Sequence, residues 1–153
     1  MMPFKAYSYR NDPAVPSFDD TRPLIIFDGL CVLCSDGVQW MLDRDPAGRS
    51  QFAVIQDPLP RALYAHYNLD ADAFDTFMVL RDGLPNTRWA GAMAAAETMP
   101  QPWRGLGRVG RFVPGVIGDR IYDWVQRNRF KWFGRRDVCR RPSALEASRF
   151  LII

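Results

Sequence analysis

Asp28, Cys31 and Cys34 stand at three-residue intervals in the stretch FDGLCVLC, where the apolar run PLIIF gives way to SDGVQWMLDRD. The chain has only three cysteines, so two of them three residues apart concentrate its thiol chemistry at one point. A thiol reacts as its thiolate, and at the ordinary pKa near 8.5 only roughly 3% is ionised at pH 7. A cysteine at the first turn of a helix meets unpaired backbone N–H groups and the positive end of the helix dipole, and both favour the anion. On this ground Cys31 is the expected nucleophile. Cys34, one turn further along, is near enough to attack a mixed disulfide on Cys31 and so to resolve it. Asp28, at the carboxyl end of the preceding run, is the acid placed by sequence to take the proton from Cys34, directly or through water.

Two other readings of the pair stay open. A structural zinc usually takes four Cys or His ligands, and beyond the pair the chain offers only Cys139 and the single His66, with no second closely spaced pair. Alternatively, two small apolar residues simply pack under a sheet. A C-x-x-C at a strand-to-helix junction in a βαβ pattern favours redox chemistry over both. No metal and no cofactor other than the Cys31–Cys34 pair itself is expected. Cys139 reads as a packed residue rather than a third redox participant, and His66 as the exposed end of a helix. Trp40, with Met41 and Leu42, reads as core.

The elements that must position these residues follow from hydrophobic pattern and punctuation. Residues 1–22 carry Pro3, Pro13 and Pro16 and no sustained period, which predicts an irregular N-terminal extension, with order beginning at Pro23. Leu24–Phe27 is a short apolar run closed by Asp28-Gly29, the signature of a strand buried on both faces. A helix is predicted from Cys31 to the Asp45-Pro46-Ala47-Gly48 stop, then a strand over Gln51–Ile55. Asp57 and Pro58 read as the cap and first-turn proline of a helix through Tyr67. Thr76–Leu80 is a third strand, and Asp82-Gly83 turns it into Leu84–Trp89, which Pro85 restricts to an edge. Ala90–Met99, Trp103–Val113 and Asp119–Phe133 are predicted helices, and Gly134 a C-cap. The order is βαβ, a helix, then ββα, an α/β class, followed by further helices.

The 153 residues, with 48% hydrophobic, supply one core, so a single domain over 23–142 with a tail at 143–153 is expected. No apolar run is long enough to span a membrane and MMPFKAYSYRNDP lacks the apolar core of a secretory signal, so a cytoplasmic location is expected. The net charge of +3 hides an asymmetry: residues 1–103 hold 8 basic and 13 acidic side chains, residues 104–141 hold 11 and 3. Arg127, Arg129, Lys131, Arg135, Arg136, Arg140 and Arg141, interleaved with Phe130, Trp132 and Phe133, could face nucleic acid or an anionic membrane. The expected arrangement is instead an aromatic face docked on the core with arginines in water, so neither nucleic acid nor a membrane surface is an expected partner.

The triplet Asp28, Cys31, Cys34 after the first strand resembles the DCC family of thiol-disulfide oxidoreductases. So do the blocks FDGLCVLCS, FMVLRDG and YDWVQRNRFKWFGRRDVCRRP, and the likeness runs from about Pro23 to Pro142. The resemblance implies a thioredoxin-like fold and dithiol-disulfide exchange, with a thiol or disulfide substrate, expected to be a protein, and a reducing partner. One feature departs from it: thioredoxin-like enzymes usually place a cis-proline just before the third strand, and Phe74-Asp75-Thr76 stand there. The alternative is a non-catalytic module that keeps this scaffold and binds a protein, nucleic acid or membrane through its basic, aromatic C-terminal surface.

Overall fold

The computed structural model describes residues 5–29, 32–45, 48–69, 77–134 and 149–150, and for 32–35, 129, 130 and 133 the backbone alone. Strand β1 is Leu24–Phe27, and all four of its residues are fully buried. Strand β2, Gln51–Val54, lies parallel to it in the register Leu24 to Gln51 through Phe27 to Val54. On the other side, β3 (Met78–Arg81) runs antiparallel to β1, and β4 (Leu84–Thr87) antiparallel to β3, giving the order β2-β1-β3-β4. Among the described residues five helices accompany the sheet: α1 (Val32–Arg44), α2 (Pro58–His66), α3 (Arg88–Glu97), α4 (Trp103–Gly110) and α5 (Gly115–Phe133). This is a thioredoxin-like fold with α4 and α5 added after the closing ββα unit.

The continuous apolar run of β1 is explained by its central place, because successive side chains point to opposite faces and both faces are covered. Leu24 and Ile26 join Ala53, Met78 and Leu80 beneath Leu59, Leu63 and Tyr64 of α2. Ile25 and Phe27 join Phe52, Val54 and Val79 beneath Val38 of α1 and Ala94 and Ala95 of α3. The hairpin between β3 and β4 turns through Asp82 and Gly83, both at positive φ, where the glycine is needed twice over: a side chain there would run into the backbone of Tyr7.

Three expectations change. Order does not begin at Pro23. Residues 5–22 are irregular apart from a 3-10 turn at Ser8–Asn11, yet Tyr9 is buried in the core with Val15 and Phe18 packed beside it, and the Tyr7 N–H donates to the Gly83 carbonyl at 3.0 Å. Helix α5 starts four residues before Asp119, because the Pro114 carbonyl accepts from the N–H of both Ile117 and Gly118 at 3.0 Å and so opens the helix. The tail is anchored as well: Phe150 is buried and bridges Phe52 in parallel fashion, while the Arg149 guanidinium donates to the carbonyls of Ser50 and Asp45 at 2.9 Å.

The added helices pack through glycine. Gly107 of α4 sits so close to α3 that a Cβ there would stand 2.9 Å from the Ala96 Cβ and from the Met93 carbonyl oxygen. The Trp89 indole N–H donates to the Gly110 carbonyl at 3.0 Å, and Gly118 of α5 lies flat against the same ring. Arg88, at φ 57, grips Asp119 at 3.2 Å and also Asp123, tying α5 to the start of α3.

Candidate active site

Because β1 and β2 are parallel, both end at the same edge of the sheet, and the Ile55 N–H continues their ladder by donating to the Phe27 carbonyl at 2.8 Å. Just beyond this point each strand gives way to a polar residue, Asp28 directly after β1 and Gln56 after Ile55. Asp28 is 8% exposed, and its Oδ1 accepts from the Gln56 Nε2 at 2.9 Å. The same Gln56 amide accepts, through Oε1, from the Gly29 N–H at 3.2 Å. One side chain thus holds both the carboxylate and the backbone that leads towards the cysteines. A hydrogen bond from an amide to a buried carboxylate fixes its orientation and satisfies part of its lone-pair demand.

Helix α1 starts at Val32, so Cys34 is its third residue and belongs to its first turn, where backbone N–H groups have no intrahelical partner. Cys31, the expected nucleophile, and Cys139 lie outside the described residues, as does the stretch 71–76 that includes the position lacking a proline. Gly37, Val38 and Met41 continue the face of α1 on which position 34 falls by helical register. These three line an apolar cavity of about 360 Å³, closed by Ala95 of α3, Trp103 of α4 and Gln126 of α5. The Gln126 Oε1 is buried there and has no hydrogen-bond partner among the described residues. Trp40 belongs to the wall of this cavity rather than to the sealed core: it is half-buried, edge-on to Trp103 at 4.8 Å between ring centres, with the Arg44 guanidinium 4.4 Å above it.

His66 is not at an exposed helix end. Its two ring nitrogens lie 2.8 Å from Ser8 Oγ and from Asp12 Oδ2, so it fastens the N-terminal segment to α2. It is the last residue of α2, about 12 Å along the helix axis from Pro58. The sequence reading also passed over Gln56. The signal available was its position: it lies two residues past the second strand, as Asp28 lies one past the first, and parallel pairing brings those two strand ends side by side.

Residues 25–135 match the model of the family described as DCC1-like thiol-disulfide oxidoreductase. The Bacillus subtilis (strain 168) protein YuxK, itself uncharacterized, is 34% identical over 128 residues, which cover 84% of this chain and 93% of YuxK. The Arabidopsis thaliana DCC family protein At1g52590, chloroplastic, is 26% identical over 121 residues, covering 79% of this chain and 70% of that protein. No solved structure matches the chain significantly.

Proposed function

Because the chain belongs to the DCC1-like thiol-disulfide oxidoreductase family, we propose that it is an enzyme of dithiol-disulfide exchange that works through Cys31, Cys34 and Asp28. The observation that carries this reading is the buried Asp28, held by Gln56 at the end of β1, just before a helix whose first turn contains Cys34. In the proposed reaction the Cys31 thiolate attacks one sulfur of a substrate disulfide. The substrate S–S bond breaks, a Cys31–substrate disulfide forms, and the other substrate sulfur leaves as a thiolate that takes a proton. Cys34 then gives its proton to Asp28, directly or through water, and attacks the Cys31 sulfur. The second substrate sulfur leaves, the proton passes to it, and the Cys31–Cys34 disulfide remains. The substrate has gained two electrons and two protons, and a dithiol reductant returns the pair to its starting state by the reverse sequence.

The cavity beside α1 gives this chemistry a seat for an apolar group of the substrate, since Gly37 on its wall is one turn from Cys34. The test is the midpoint of the Cys31–Cys34 couple in glutathione and dithiothreitol buffers, read by thiol alkylation and mass spectrometry. A reversible two-electron couple between about −300 and −120 mV is expected, the range of exchange proteins. Cys34→Ser is expected to accumulate the mixed disulfide, and Asp28→Asn to slow its resolution. A pair that does not close across that range refutes the proposal and leaves the non-catalytic binding module.

A further inference from the structure

Helix α5 is apolar on two sides. Tyr122, Gln126 and Gly118 are buried on the inner one. On the outer one Ile117, Ile121, Trp124 and Trp132 follow at spacings of four, three and eight, and all four are exposed, with Trp124 at 58%. The two indoles meet edge-on at 5.0 Å between centres, in solvent rather than in the core. The face continues around the corner into α4: Val116, Phe112 (88% exposed), Val109 and Leu106 are exposed too. The docked aromatic face expected from sequence is therefore not what these tryptophans form. From Ile117 to Trp132 the stripe is about 22 Å long.

Its rim is cationic. Arg104, Arg108, Arg120 and Lys131 make no ion pair among the described residues, and the Arg127 guanidinium meets only the Asp123 carbonyl at 3.4 Å. The two carboxylates of α5, Asp119 and Asp123, are both held by Arg88 on the inner side. Exposed phenylalanine, leucine and isoleucine where α4 turns into α5, a pair of tryptophans, and unneutralised arginine and lysine around them fit one kind of surface: apolar beneath and anionic at the top. We propose that the outer face of α4 and α5 docks the protein onto an anionic lipid bilayer, with the helices lying in the interface. Among the described residues no helix is long and apolar enough to cross a membrane, so attachment is peripheral. The proposal is independent of the thiol chemistry.

The test is flotation of the full chain with vesicles of phosphatidylcholine alone and with about one-third phosphatidylglycerol, at low and high salt. Binding to the anionic vesicles is expected to be at least about tenfold stronger than to neutral ones, and to fall with salt. The pair Phe112→Ser with Trp124→Ser, and separately Arg120→Glu with Lys131→Glu, are each expected to weaken it by more than about tenfold while leaving the thermal midpoint and the thiol chemistry in place. The charge pair guards against misfolding of the apolar pair, because Arg120 and Lys131 are exposed. No binding to anionic vesicles, equal binding by the charge-reversed protein, or a dimer in light scattering that the same substitutions dissociate would overturn it, the last assigning the face to a second copy.

Discussion

Replacing Gln56 with leucine tests the architecture around Asp28 most directly. The side chain donates to the buried carboxylate at 2.9 Å and accepts from the Gly29 N–H at 3.2 Å. A hydrogen bond to a charged group contributes about 1.5–3 kcal/mol and a neutral one about 0.5–1.5 kcal/mol, so the two together amount to about 2–4.5 kcal/mol. Gln56 is half-buried, and water replaces part of what is lost, which places the expected cost near the lower end, about 2 kcal/mol. With a urea dependence of about 2 kcal/mol per molar, the unfolding midpoint drops by about 1 M. Asp28→Leu should lose the same contact, so the double variant should be about 1–2 kcal/mol more stable than the two single costs predict by addition. In the redox assay Gln56→Leu should slow resolution of the mixed disulfide without changing its formation. A midpoint shift below about 0.3 M, or strict additivity in the cycle, would falsify the claim that Gln56 holds Asp28.

Other consequences can be measured with equal economy. Gly37 has open space where a Cβ would go, so Gly37→Ala should raise stability in urea by about 0.5–1 kcal/mol through helix propensity alone. Gly107→Ala should lower it by about 1–3 kcal/mol, because the added carbon meets Ala96 and the Met93 carbonyl. The Arg10 guanidinium, with the Tyr9 hydroxyl, holds the Asp20 carboxyl below its ordinary 3.8, and the Ala14 N–H, with His66, does the same for Asp12. Depressed carboxyl values stabilise the fold above the unfolded pKa and lose that effect as pH falls through the folded one, so residues 7–20 should lose hydrogen-exchange protection below about pH 4. At the other end, burial and the Asp20 contact push the Tyr9 hydroxyl well above its ordinary 10. Stability should therefore fall as pH rises past 10, and Tyr9→Phe should flatten that fall in alkaline denaturation curves.

Local signals carried much of this fold. The apolar run of β1, the Asp57-Pro58 start of α2 and the Asp82-Gly83 turn each follow from a few adjacent residues, and the structure has them in place. What the sequence hid was long-range. Tyr9 shows no periodicity that marks it as core, because its burial comes from α2 and the β3–β4 turn rather than from an element of its own. Arg88 opens α3 in a left-handed conformation under the pull of two carboxylates thirty-one and thirty-five residues away. The helical spacing of the α5 aromatics was legible, but a helix with two apolar sides does not declare which is inward. At the site, Asp28 was legible from its place after β1; Gln56 was not, because a glutamine in a loop gains meaning only once the strands pair in parallel.

The short return of the chain at Arg149 and Phe150 protects the molecule from its own kind. An open sheet offers unpaired N–H and C=O groups along its outermost strands, and these recruit other chains. Here β4 carries Pro85, which has no N–H to offer, and the exposed flank of β2 is met by Phe150 through its bridge to Phe52. Removing the last five residues would take Phe150 from β2 and leave that strand open to edge-to-edge association, so a truncated form should aggregate in light scattering although every catalytic candidate remains in it.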